Sequence, residues 1–528
     1  MSAILRSMLS ISAATVLSRA TGFLRLAVFA AVFSTGIVGQ AYAVSSLLPS
    51  LIYELFLGGI FYSIFIPILI DRMTHHGEED AQRLTNALFT VALPLLAVVS
   101  ILGIIFAEPL VMLATDWNNA EELSPQDTQQ VIDLAVLLFR IFVVQMLFYG
   151  INTIGTGVLQ AHRHFFLPTF APVLNNLIIV ASFGAYYVIA KSNETLAIYV
   201  LAVGATFGVA VMALALVPTM LRLGYKPRLQ FGHPALAHAA RLTGPMLVLV
   251  AASVGLQAVA NYFATSFNAA VELGLAFVIF SLPYGIFVVS VVTALMPELS
   301  EQHSRGDMDG YRSTLSFGLR LVAFVVVPST IGMAVLAVPL VGLLYQRGEF
   351  DVQDTKTVAA LLTAYAIGLL GYSVYFLLVR AFYSRQNTMT PALLNVCLFV
   401  LYTVAVYFLS LTEIGVVVVV LALSGTYTLL ALAGLAAMRH AIKRIGGRQL
   451  LLSLAKTLIA GTVMYGVAWA GAALLGTGSG AFEQLGIIAV VGGSSLAAYL
   501  GTAFLLKAEE MAWAANLLKK RVKGAPDG

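Results

Sequence analysis

Apolar residues run through this chain in blocks of about twenty to thirty, broken at short polar, Gly-containing or Pro-containing intervals, and about 20 mostly apolar residues suffice for a helix to cross a bilayer. Cutting the chain at these breaks predicts fourteen spanning helices, near 8–33, 41–70, 85–113, 131–160, 166–190, 195–221, 239–266, 272–297, 313–345, 356–383, 388–410, 414–438, 450–475 and 483–507. No connection is long enough for a soluble domain; the longest, near 222–238, has about seventeen residues. The expected fold class is an all-α polytopic membrane protein with about 14 transmembrane helices. The N-terminal run is of membrane length and lacks a nearby small-residue cleavage site, so it reads as a retained first span.

Composition agrees: 60% of the 528 residues are hydrophobic, 10% are charged and the mean hydropathy is +0.92. The lone Cys397, inside an apolar run, leaves no disulfide framework and no thiolate metal site. The small net charge of +4 does not suggest a nucleic-acid partner. Its distribution sets orientation, because cytoplasmic loops retain Lys and Arg. With the N-terminus inside, 22 of 29 basic residues fall on the cytoplasmic side, Lys191, Arg347 and Lys356 fall outside, and Arg19, Arg25, Arg140 and Arg320 lie within spans. The acidic loop ATDWNNAEELSPQDTQQ (114–130) belongs outside, and RHAIKRIGGR (439–448) and KKRVK (519–523) belong inside, which places both termini in the cytoplasm.

Internal repeats divide the chain. AEPLVML (107–113) and AVPLVGL (337–343) share five of seven residues at an offset of 230. LQAHRHFFLPTFAPVLNNLIIV (159–180) resembles FYSRQNTMTPALLNVCLFV (382–400), matching Pro172 and Asn176 to Pro391 and Asn395. LLP (47–49) and SLP (281–283) sit near the starts of spans 2 and 8, which close at Pro67 and Pro297. A repeat of six spans preserves orientation, so two six-helix lobes, 1–222 and 223–448, are expected to be related by a pseudo-twofold along the membrane normal. Two additional helices in 449–508 and a basic cytoplasmic tail, 509–528, stand outside the duplication.

Paired lobes of this kind describe an alternating-access carrier, and catalytic signatures are lacking. There is no P-loop and no G-x-S-x-G, and only Glu54 places a carboxylate well inside a span, so an enzyme is not expected. His75–His76 and His162/His164 sit in cytoplasmic turns without a carboxylate-rich ligand pattern, so neither metal nor cofactor is expected.

Intramembrane charges mark the candidate site, since each costs roughly 2.5–3.5 kcal/mol at mid-bilayer on insertion scales. On a helix Gly22 lies about 60° from each of Arg19 and Arg25, which puts both arginines in one sector with Ser18 near the same level. Two guanidinium forks suit a diphosphate, whose oxygens they bind in pairs without losing their protons. Snorkelling to the headgroups is the alternative for Arg19, and a buried pair with Glu54 the alternative for Arg25. Arg140 and Arg320 favour interfacial packing. Asn176 and Asn395 either cap or bridge helices at the Pro breaks or contact ligand. Arg380 and Arg385 satisfy the positive-inside pattern. The candidate substrate-binding set is therefore Ser18, Arg19, Arg25, Glu54, Asn176 and Asn395.

The runs SRATGFLR (18–25), LLPSLIYELFLGGIFYSIFIPIL (47–69), AEPLV, LP..APVLNN and FYSRQNTMTP (382–391) are similar to the MurJ/MviN family of bacterial lipid II flippases, in the multidrug/oligosaccharidyl-lipid/polysaccharide exporter superfamily. The likeness is collinear from about 5 to 440. It implies a V-shaped pair of lobes around a cationic cavity, with two further helices supporting a groove for a polyprenyl tail. The implied cargo is lipid II, undecaprenyl diphosphate bearing a disaccharide-pentapeptide, moved from the inner to the outer leaflet of the plasma membrane. Membrane lipids and cell-wall synthesis proteins are the implied partners. Another polyprenyl-linked saccharide or a drug as cargo, and a non-transporting scaffold, are the competing readings. Where family members often carry Asp after the second arginine this chain has Leu26, Tyr53 stands at a common Arg position, and 276–285 lacks the usual Asp-Arg pair. The acidic sodium-site pattern of some members is not evident, and no coupling ion is assigned.

Overall fold

The computed structural model describes residues 3–120, 123–478 and 480–511, with side chains throughout except in 3–12, 56–64 and 237–246. The basic cluster at 519–523 lies outside the described residues. Helices account for every regular element among those described: α1 (Ala3–Phe33), α2 (Ile37–His75), α3 (Glu78–Ile105), α4 (Ala107–Ala114), α5 (Pro125–Phe142), α6 (Gln145–Ala161), α7 (Phe166–Ile189), α8 (Glu194–Leu214), α9 (Val217–Arg222), α10 (Pro234–Ser266), α11 (Ala270–Pro283), α12 (Val289–Ser304), α13 (Met308–Val335), α14 (Ala337–Tyr345), α15 (Val352–Ser384), α16 (Met389–Ser410), α17 (Val417–Ile442), α18 (Gly447–Leu475), α19 (Ala481–Ile487) and α20 (Gly493–Leu505). Widened turns at Tyr284–Val288 and Ile488–Gly492 carry α11 into α12 and α19 into α20.

Among the described residues twelve helical segments are long and apolar enough to cross a membrane, and α5 with α6, bent by 40°, makes a thirteenth when the pair is taken as one span. The 39-residue α2 is apolar enough in sequence to be one more. An all-helical polytopic fold follows from the solvent, because hydrocarbon offers no partner to a backbone amide or carbonyl and a helix satisfies both internally. Several helices start where the sequence supplies a side-chain cap. Ser124 accepts from the Asp127 amide ahead of α5, Asn193 from the Leu196 amide ahead of α8, and Asp351 and Asp354 form a reciprocal capping box at α15.

Contacts gather the chain into two compact units, 1–271 with 347–350, and 272–346 with 351–528. In the first, α1 packs along α7, α7 along α8, and α2 against α5, α6 and α10. Small residues let these helices close in: a Cβ at Gly204 would collide with the Ser182 side chain, and one at Gly208 would stand 2.6 Å from Asn175 Oδ1. The bend between α5 and α6 contains neither Gly nor Pro. There the Val143 carbonyl accepts the Ser100 hydroxyl of α3 at 3.1 Å, and a Cβ at Gly103 would lie 2.7 Å from Val143. By contact α10 belongs with this first unit, although the repeat places it at the head of the second lobe.

In the second unit α15 lies between α13 and α17, and α13 carries α18, which in turn packs on α20. Gly368 and Gly371 of α15 face Ser424 and Thr428 of α17, and the Ser424 hydroxyl donates to the Ala364 carbonyl at 2.8 Å. Phe324, Ala460, Met464 and Tyr499 bury the joint of α13, α18 and α20, where the Tyr499 hydroxyl donates to the Phe324 carbonyl at 2.7 Å. Arg320, on α13, reaches the segment after α20: its Nη1 pairs with Glu509 and lies 3.7 Å from buried Glu510, which also accepts from Ser453 at 2.8 Å.

Arg320 therefore fastens the last two helices to the second unit. Arg320→Ala strands the Glu510 carboxylate, and loss of one partner of a buried pair costs roughly 3–5 kcal/mol. The expected outcome is a clear fall in the thermal midpoint of the purified protein, partly restored when Glu510→Gln is added. An unchanged midpoint in the single variant refutes the clamp.

Candidate functional site

The six sequence-predicted residues do not gather into one constellation. On α1, Ser18 is half-buried, Arg19 exposed and Arg25 half-buried. α7 packs on the strip of α1 that holds Thr21, Gly22, Phe29 and Phe33: Asn176 Nδ2 donates to Thr21 Oγ1 at 3.3 Å, and Phe29 and Phe33 meet the Phe183 ring at 5.7 and 5.3 Å. A Cβ at Gly22 would stand 3.5 Å from the Asn176 amide. Gly22 lies midway between Arg19 and Arg25 around the helix, so its lack of a side chain serves the helix seam and not an open face shared by the arginines. They flank the seam instead.

Arg25 lies one helical turn beyond Thr21 on α1. Among the described residues it makes no hydrogen bond and no ion pair. The anticipated Arg25–Glu54 pair is absent: Glu54 is half-buried and neither side chain has a partner of opposite charge within 4.0 Å. The reason is packing, since α1 runs along α7 while α2 runs along α5 and α6, and α1 meets α2 near its end, where Phe29 and Phe33 approach the Tyr42 ring at 5.4 and 6.3 Å. Consecutive spans need not be packed neighbours.

A polar strip joins α2, α6 and α8 within the first unit. The Tyr149 hydroxyl donates to Gln145 at 3.2 Å, Gln145 Nε2 donates to Thr206 at 3.2 Å, and the Tyr53 hydroxyl bonds that of Thr153, with the Tyr53 and Tyr149 rings 5.4 Å apart. Sequence reasoning, tuned to charges, passed over these tyrosines; the available signal was Tyr149 and Thr153 four apart on one helix face.

Both asparagines bridge helices. Asn176 joins α7 to α1, and Asn395 accepts from the Tyr375 hydroxyl at 3.3 Å, joining α16 to α15. The second unit also holds aromatic rings that the sequence reading missed. Tyr372 meets Tyr284 and Tyr427, each at 4.7 Å, and the exposed Arg380 guanidinium lies 5.2 Å from the Phe376 ring centre. Tyr365, Tyr372 and Phe376 recur at spacings of seven and four along α15, which is one helix face. Arg385 is bound to its neighbours, donating to the Ala441 carbonyl at 3.5 Å near the end of α17.

Three histidines near helix ends are tied to carboxylates. His75 lies 3.1 Å from Asp71, His162 is 3.3 Å from Glu78, and buried His233 is 3.3 Å from Asp80 while capping α10 through Nδ1. Burial, and then the Glu78 charge, pushes the Tyr225 phenol well above its ordinary range. Among the described residues no three His, Cys, Asp or Glu side chains converge as metal ligands.

Comparison with known proteins places these features. Residues 29–489 match the family model described as lipid II flippase MurJ. The chain is 28% identical over 394 residues to the lipid II flippase MurJ of Burkholderia cenocepacia, covering 73% of this chain and 74% of that one. It is 26% identical over 402 residues to the probable lipid II flippase MurJ of Vibrio cholerae, covering 74% of each. Among solved structures, a lipid II flippase MurJ in an inward closed conformation aligns with a TM-score of 0.73 at 21% identity, over 94% of this chain and 98% of that chain. A multidrug resistance MATE family transporter of the MOP superfamily, inward-facing, aligns at 0.59 and 13% identity over 84% and 95%. These structural likenesses establish the fold.

The seam beside Arg25 generates a test. Asn176→Ala and Thr21→Val each remove one interhelical hydrogen bond, a loss of about 1 kcal/mol within a membrane. The double variant is expected to be no less stable than the worse single one, because the bond is shared. Thermal unfolding of the four proteins measures this, and strictly additive losses contradict the bridge.

Proposed function

The chain belongs to the MurJ family of lipid II flippases, its cargo is lipid II, and we propose that it carries this cargo from the inner to the outer leaflet of the bacterial plasma membrane by alternating access, with Arg25 as the principal contact of the diphosphate. The observation that carries the site assignment is that Arg25 is half-buried in an apolar helix with no ion pair or hydrogen bond among the described residues. A guanidinium so placed costs free energy unless an anion or water meets it. Its planar fork binds two phosphate oxygens at once.

Ser18 and Arg19 lie about two turns earlier on α1, and Arg19 is exposed, which fits a secondary contact as the headgroup approaches. Glu54, half-buried on α2, has no ion pair among the described residues and remains a proposed second contact of the cargo. Asn176 and Asn395 act on the cargo indirectly, by holding α7 to α1 and α16 to α15. The internal repeats support an ancestral duplication of six spans, 1–222 and 223–448, to which 449–508 was added, and the Lys and Arg asymmetry supports cytoplasmic termini. The work is transport, and no bond in the cargo needs to change.

Substitution separates a gripping arginine from a packed or snorkelling one. Lys keeps the charge but loses the paired geometry, so Arg25→Lys is expected to slow translocation about tenfold, in line with the loss of one charge-assisted hydrogen bond. Arg25→Ala should be slower still, at matched protein levels. The measurement is the appearance of labelled lipid II in the outer leaflet of cells in which this chain is the sole flippase. Wild-type rates in both variants refute the assignment.

A further inference from the structure

Between α9 and α10 the chain folds back over α3. Gly224 makes the turn with φ of +90°, and a Cβ there would meet Gln82 Nε2 at 2.8 Å. The following strap is tied down by two backbone amides, Arg228 N donating to Asn86 Oδ1 at 3.4 Å and Gln230 N donating to Thr90 Oγ1 at 3.0 Å. Beneath it lies a cavity of about 510 Å³ lined by Phe89, Leu93, Ile151, Met220 and Leu221, among others. That volume falls in the roughly 300–1,000 Å³ of small-molecule sites. Asn86 and Thr90, two of its polar neighbours, are engaged by the strap, so the walls are mainly hydrocarbon.

Three observations say what fills it. Pro94 belongs both to the cavity wall and to the exposed side of α3, where Val91, Leu95, Val98 and Leu102 recur at spacings of four, three and four and form a stripe for acyl chains. Leu229 and Phe231, on the strap, are 78% and 85% exposed, a placement that costs free energy in water and is favourable at a membrane interface. Lys226 and Arg228 flank them, and neither has a carboxylate partner among the described residues. The site thus joins an apolar slot, continuous with an exposed apolar stripe, to two exposed cations on the strap that have no carboxylate partner.

We propose that this cavity holds one acyl chain of an anionic phospholipid from the leaflet on the strap's side, the cytoplasmic leaflet by the Lys and Arg asymmetry, with the lipid phosphate on Arg228 and Lys226. The bound lipid covers Phe89 and Leu93 and keeps the strap against α3, α6 and α9. Lipid occupying this slot lies apart from Arg25, so the site stands or falls independently of the transport assignment.

The test uses the full chain in phosphatidylcholine vesicles doped with phosphatidylglycerol bearing a photoreactive diazirine on one acyl chain. Illumination is expected to label peptides from 85–94 or 217–221. Arg228→Ala, on the exposed strap, should lower the label about fivefold, and Leu93→Trp, which fills the slot, should abolish it while leaving helix content unchanged. Equal labelling by a phosphatidylcholine probe overturns the headgroup recognition. Undiminished labelling in both variants overturns the slot, and displacement of the label by lipid II reassigns it to the cargo.

Discussion

Hydrocarbon offers no hydrogen-bond partner, and every feature of this protein answers to that constraint. Backbone groups are satisfied within helices, and where a helix breaks a neighbour supplies the missing donor, as Ser100 does for the Val143 carbonyl in the bend between α5 and α6. Side-chain hydroxyls serve the same end across helix pairs, Ser45 donating to the Ala135 carbonyl at 2.8 Å and Tyr311 to the Ala381 carbonyl at 2.7 Å. Such bonds require close backbones, and Gly204, Gly208, Gly368 and Gly371 allow the approach.

Span existence was legible because length and hydropathy decide it. The predicted helices are found with shifted ends, since terminal turns extend into water, where α2 runs on to His75 and α3 begins at Glu78. Helix neighbours were not legible. Arg25 and Glu54 lie on consecutive spans at compatible depths, yet α1 chose α7, through Asn176 and the Phe29, Phe33 and Phe183 rings, and the pair never formed. Likewise Gly22 advertised space beside two arginines, and the space belongs to an asparagine amide. Pairwise packing depends on side-chain shape across helices far apart in sequence, which periodicity along one helix does not encode.

The same constraint sorts the arginines. Arg320 meets Glu509 and Glu510 and fixes the final helices, and Arg385 meets the Ala441 carbonyl, so each charge is consumed by structure. Arg380 keeps its charge on an aromatic face at the exposed end of α15. Arg25, half-buried in a spanning helix, makes neither an ion pair nor a hydrogen bond among the described residues, and a charge so placed is costly unless water or an anion meets it.

Tyr53 shows how the departures from the family pattern fit this logic. Its hydroxyl is bound to Thr153 and its ring lies against Tyr149, so α2 and α6 are joined by a neutral bond. A second guanidinium there would repel Arg25 in a medium that screens poorly and would need its own counter-ion in the empty protein. A hydroxyl there needs no counter-ion, and its hydrogen bond is met by a neighbour. The stretch 276–285 is likewise uncharged, and there the Tyr284 ring meets that of Tyr372. At both places neutral rings and hydroxyls join helices without the desolvation cost that a charge carries inside a membrane.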